Sequence, residues 1–148
     1  MFIWRIDELK SKLATAPLTD REALPYLLIF VGVTGLLPLF PPTEMNHWDY
    51  LSAGFSLLVA LGGTLYVYAR NGGNSGRYFL QRYFAIGWVT TVRWLAIVVP
   101  LFFALMFGLD WESHTTPYET VYFAVAEIFL FARIGYHVLD VAKLTVAI

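Results

Sequence analysis

From Gly76 to Leu109 the chain reads GRYFLQRYFAIGWVTTVRWLAIVVPLFFALMFGL, a long apolar run with Arg77 and Arg82 near its start and one further charge, Arg93, well inside it. A run of this length and polarity has the properties of a membrane-crossing helix. A charge held near the middle of a bilayer costs roughly 3 to more than 10 kcal/mol, so it persists only where it is paired, snorkels or meets water. Whatever this chain folds into must answer Arg93. The rest of the sequence is therefore read relative to it.

Composition agrees with that class. Of 148 residues, 58% are hydrophobic, 18% aromatic and only 14% charged, against roughly 25% charged in ordinary soluble domains. A formal net charge of -1 gives no global electrostatic reason to expect nucleic acid. Cysteine is absent, which excludes disulfides, thiolate metal sites and a cysteine nucleophile.

Before the first apolar span, Phe2, Ile6, Leu9 and Leu13 recur at helical spacing, with Arg5, Asp7, Glu8, Lys10 and Lys12 on the opposite side. Residues 1–18 are expected to form an interfacial amphipathic helix on the membrane surface or against a partner. It does not read as a cleavable signal, because acids interrupt its start and Pro17 precedes any apolar core. Thr19 and Glu22 have capping-box spacing and predict a new helix from about Asp20.

Four spans are expected, at about 23–41, 50–70, 78–109 and 118–143. The first, LPYLLIFVGVTGLLPLF from Leu24, ends at Pro41-Pro42. The second is rich in Ser, Gly, Ala and Thr, which suit close helix packing in lipid. Pro100 removes one backbone hydrogen bond from the third and is expected to bend it. The connector RNGGNSG, Arg70 to Gly76, lacks the lysine and the preceding strand of a phosphate-binding loop. With Arg70, Arg77 and Arg82 it reads as a basic cytoplasmic connector, and the first turns of the third helix are expected to protrude there.

Arg5, Lys10, Lys12, Arg21, Arg70, Arg77, Arg82 and Lys143 all fall on one side of this topology, and the opposite loops hold no Lys or Arg. The positive-inside rule then predicts both termini in the cytoplasm of a multi-pass inner-membrane protein. The fold class is an all-α membrane protein, an up-down bundle of four transmembrane helices in a single domain, with successive helices antiparallel neighbours. The expected surroundings are the lipid bilayer and either further copies of the chain or a larger membrane complex.

Candidate site residues follow from burial. By helix rise Glu127 lies within roughly 8 Å of Arg93 in depth, which predicts an Arg93–Glu127 contact. Arg133, His137 and Asp140 fall at i, i+4 and i+7 and share one face, away from Glu127. In the outer loops, His47 and Asp49 with Asp110, Glu112 and His114 form a possible divalent-metal set if the loops meet. Solvated acidic loops explain the same residues. Enzyme signatures, including a Ser/His/Asp set and a nucleotide loop, are missing from the sequence, so neither catalysis nor a cofactor is expected. Three functions fit: a homo-oligomeric channel or pore-type protein exposing Arg93, Arg133 or Glu127 to water, a non-catalytic accessory or scaffolding subunit, and a proton-coupled small-molecule transporter using Glu127.

Overall fold

A computed structural model describes residues 5–19, 22–26, 28, 45–107 and 116–146. Among these, all regular structure is helical: α1 (Ile6–Thr15), α2 (His47–Arg70), α3 (Phe79–Phe107) and α4 (Pro117–Val146), with a short 3-10 turn at Gly73–Ser75. Helices α2, α3 and α4 are each long and apolar enough to cross a membrane. At ~1.5 Å per residue, the 29 residues of α3 extend about 43 Å, longer than a ~30 Å hydrocarbon layer. Their outer faces are apolar: Leu57, Leu58, Leu61 and Leu65 of α2 are all more than half exposed. Such a face suits lipid rather than water. The expected first span lies almost wholly outside the described residues.

Helix starts are capped as local chemistry requires. The Asn46 side chain accepts from the backbone N–H groups of Trp48 and Asp49, and Asp49 accepts from Asn46 N at 2.7 Å. The second apolar segment therefore begins at His47, earlier than expected, and His47 and Asp49 belong to its first turn rather than to a loop. Thr116 and Glu119 play the same reciprocal roles at the start of α4, both at 3.4 Å. Glu22 reaches back to Thr19 N at 3.1 Å, so the predicted Thr19–Glu22 cap forms on its glutamate side. At the other end of α2, Gly72 (φ 98°) and Gly73 (φ 56°) take the left-handed backbone that turns the chain toward α3. Helix α3 runs unbroken through Pro100.

The packing differs from a bundle of sequential neighbours. Helix α4 lies in the middle, packed extensively against α2 on one side and against α3 on the other. The small-residue face of α2 makes this possible at one point: a Cβ on Gly63 would overlap the Phe131 ring of α4. The reciprocal device is Gly135 of α4, where a Cβ would overlap the Tyr66 ring of α2. Gly54 and Gly62 face open space, so the predicted close-contact face is narrower than the glycine pattern implies.

The amphipathic helix α1 packs on its own chain. Leu9 and Leu13 are 0% and 1% exposed and join Ile86 and Val89 of α3 and Ile134, Val138 and Val141 of α4 in one apolar core. Asp7, Glu8 and Ser11 remain exposed. Lys10 Nζ pairs with Asp140 of α4 at 3.1 Å and with Asp7 at 3.4 Å, and Lys12 pairs with Glu22. The face expected to enter a membrane surface or a partner is thus spent on the bundle itself.

Candidate functional site

Arg82 is the first departure from the sequence expectation. It is 1% exposed rather than part of a protruding basic extension. Its guanidinium donates to Asn71 Oδ1 of the α2–α3 connector at 3.0 Å, to the Leu13 carbonyl of α1 at 3.3 Å and to Thr145 Oγ1 of α4 at 2.6 Å. One side chain joins four parts of the fold. A signal was present: Arg82, Ala85, Ile86 and Val89 form an i, i+3, i+4, i+7 stripe, and that stripe is the buried one. Arg70 instead stays at the surface of α2, with its Nε 3.0 Å from the Tyr66 hydroxyl and its guanidinium over the Tyr66 ring. Arg77 is exposed. Arg70, Arg77 and Lys143 border a basic basin at this end of the bundle.

The predicted Arg93–Glu127 contact is not formed. Glu127 turns toward α2, where its Oε1 accepts from the Ser56 hydroxyl at 2.7 Å. Arg93 of α3 faces a different part of α4. Helix rise gives depth but not direction, and Glu127 and Arg133 are six residues apart, about 120° around the helix axis. Arg93 therefore meets the Arg133 side of α4 and not the Glu127 side.

There the two arginines line one open groove of about 630 Å³ between α1, α3 and α4, together with Ile6, Thr90, Trp94 and His137. Arg93 is half-buried and Arg133 exposed. Among the described residues neither makes a hydrogen bond or an ion pair. Among the described residues, the charged side chains around His137 are the cations Lys10, Arg133 and Arg93 and one carboxylate, Asp140. Asp140 is already held by Lys10. The groove is therefore electropositive and short of an anion.

Two residues that line it carry a buried polar atom without a partner among the described residues. Thr90 Oγ1 and His137 Nδ1 make no hydrogen bond there, although their residues are only 4% and 7% exposed. Burying such groups unpaired costs roughly 1–3 kcal/mol each, and in native folds they are normally satisfied. The Trp94 indole, by contrast, donates to the Ala126 carbonyl at 3.1 Å and fixes the groove wall. The start of the predicted first span lies elsewhere on α3: Ala23 and Tyr26, with Leu18 ahead of them, border a pocket with Leu80, Gln81 and Phe84. Gln81 and Thr90 are nine residues apart, two and a half helical turns, and so point in opposite directions.

The possible outer metal set falls largely outside the described residues. Asp110, Glu112 and His114 lie outside the described residues, and no group of three metal-ligating side chains occurs among the described ones. Asp49 already caps α2. At this end Asp49 and Glu119 border a smaller acidic pocket. No family model, curated protein or solved structure matches the chain.

Proposed function

We propose that this is an integral membrane protein of the transport-related class whose working site is the Arg93–Arg133 groove, and that the groove handles an anion. The supporting topology is four spans with both termini in the cytoplasm of an inner membrane. Its grounds are the absence of Lys and Arg from the opposite loops of the sequence and the collection of Arg70, Arg77 and Lys143 at the α1 end.

One observation carries the reading: two guanidiniums line one groove with no carboxylate answering either of them among the described residues. Two unshielded like charges at membrane depth repel each other, and an anion between them removes that cost while forming charge-assisted hydrogen bonds. The test is thermal stability of the purified full chain in neutral detergent, titrated with inorganic phosphate, sulfate and dodecyl phosphate. At least one anion should raise the Tm of the wild type and none should raise that of Arg93→Gln/Arg133→Gln. No response to any anion in the wild type overturns the reading.

The openness of the groove favours a second reading, a homo-oligomeric channel in which another copy closes the groove into a path. That reading requires a stable homo-oligomer in mild detergent and anion flux through proteoliposomes. A monomer without flux removes it and leaves the anion site standing. Glu127, held by Ser56 on the far side of α4, enters neither.

A further inference from the structure

We infer that the anion taken by the Arg93–Arg133 groove is the phosphate of an anionic glycerophospholipid, entering sideways from the leaflet beside α1; this rests on the anion-site reading above. Polarity along the groove carries the argument. Along α4 the lining runs His137, Arg133, Phe129 away from the α1 end, and along α3 it runs Thr90, Arg93, Ile97. The bonds from Trp94 Nε1 to the Ala126 carbonyl and from the Tyr122 hydroxyl to the Val98 carbonyl set the antiparallel register, so His137 and Arg133 lie nearest α1, Thr90 and Phe129 are nearly level, and Arg93 and Ile97 lie beyond them. Thr90 and His137 are buried with an unpartnered polar atom, whereas Ile97 and Phe129 are 61% and 59% exposed. The groove is therefore amphiphilic in one direction: polar and cationic toward α1, and ending in exposed apolar side chains.

The polar end is also at the level of the membrane surface. Helix α1, whose Ile6 lines the groove, carries exposed Asp7, Glu8 and Ser11, and charged side chains of that kind do not sit in hydrocarbon. The surplus length of α3 over the hydrocarbon layer is thus accommodated at the α1 end. A headgroup phosphate there meets both guanidiniums, with Thr90 and His137 in the wall around it, while acyl chains follow Phe129 and Ile97 toward the bilayer centre. A small inorganic anion satisfies the first half of this site and leaves the second exposed.

The test is lipid retention by the full chain, read by native mass spectrometry after equilibration in micelles containing phosphatidylglycerol, phosphatidic acid or phosphatidylcholine. The wild type should retain the two anionic lipids over phosphatidylcholine, and Arg93→Gln/Arg133→Gln should lose about tenfold or more in retention. Arg77→Gln, on the exposed connector, should retain them as the wild type does. Circular dichroism and a monodisperse elution profile establish that each variant is folded; should the double variant fail this check, Arg133→Gln alone, at an exposed position, carries the comparison. Inorganic phosphate is the second probe. If it binds in an Arg93- and Arg133-dependent way while lipids do not, the lipid inference falls and the anion site stands. If neither binds, both fall. Equal loss in Arg77→Gln marks nonspecific attraction to basic protein and also overturns the inference.

Discussion

Arg82 Nη2 and Thr145 Oγ1 are 63 positions apart in the chain and 2.6 Å apart in space. The same guanidinium holds the Leu13 carbonyl and Asn71, so it decides whether α1 and the end of α4 stay docked on the connector. Truncation to Leu takes the donor from three acceptors, Asn71 Oδ1, the Leu13 carbonyl and Thr145 Oγ1. Arg82→Leu should cost about 2–4 kcal/mol, read as a lowered Tm in detergent together with faster proteolysis after Lys10 and Lys12. Cleavage and Tm equal to the wild type would show that the buried network is dispensable.

The glycines of α2 and α4 make a sharper contrast. Gly63→Ala and Gly135→Ala put a methyl into the rings of Phe131 and Tyr66 and should each destabilise by about 1–3 kcal/mol through overpacking. Gly62→Ala, one position from Gly63 but facing open space, should be neutral or slightly stabilising, because alanine is the better helix former. Thermal unfolding of the three variants side by side checks this. A similar loss for all three would mean that α2 does not approach α4 as described.

These two cases show what the sequence made legible. Apolar runs located α2, α3 and α4 to within a few residues, because hydrophobic length is a property of the chain alone. The 3.6-residue period revealed the apolar face of α1, though not that α3 and α4 would receive it. What a helical pattern withholds is azimuth. Gly62 and Gly63 look alike in sequence, and Arg82 looks like any topology-setting cation beside Arg77. Arg93 and Glu127 matched in depth, yet rotation about α4 sent Glu127 to Ser56 and Arg133 to Arg93.

Acid should loosen α1 from the segment that follows it. The Glu22 carboxyl is drawn down to about 2, first by its bond to the Lys12 side chain and then by the Thr19 backbone and hydroxyl. Because the folded value is the lower one, the contribution is full above the ordinary value of 4.5 and is lost as pH falls from there toward about 2. Proteolysis or hydrogen exchange of α1 should accelerate across that window in the wild type and accelerate less in Glu22→Gln, where only the other carboxylates of α1 and Asp140 remain. Identical profiles would show that this carboxylate does not tie the segment.

Ser56 supplies the hydroxyl that Glu127 Oε1 accepts. Ser56→Ala should cost about 1–2 kcal/mol, with no further loss when Glu127→Leu, which has no acceptor, is already present if the hydrogen bond is their whole interaction. Unfolding of both single variants and the double variant in detergent measures that coupling. A coupling near zero would remove the Ser56–Glu127 link.

The central claim is that Arg93 confronts Arg133 and not a carboxylate of its own chain, and a double-mutant cycle tests it most directly. Thermal unfolding of Arg93→Gln, Glu127→Gln and the double variant is measured in neutral detergent free of lipid and phosphate. The account predicts that Arg93→Gln is as stable as the wild type or slightly more so, since one of two like charges is gone, and that its coupling to Glu127 is within about 0.5 kcal/mol of zero. A loss of about 3 kcal/mol or more that disappears when Glu127 is also neutralised is the signature of a buried ion pair, and it would contradict the groove as described.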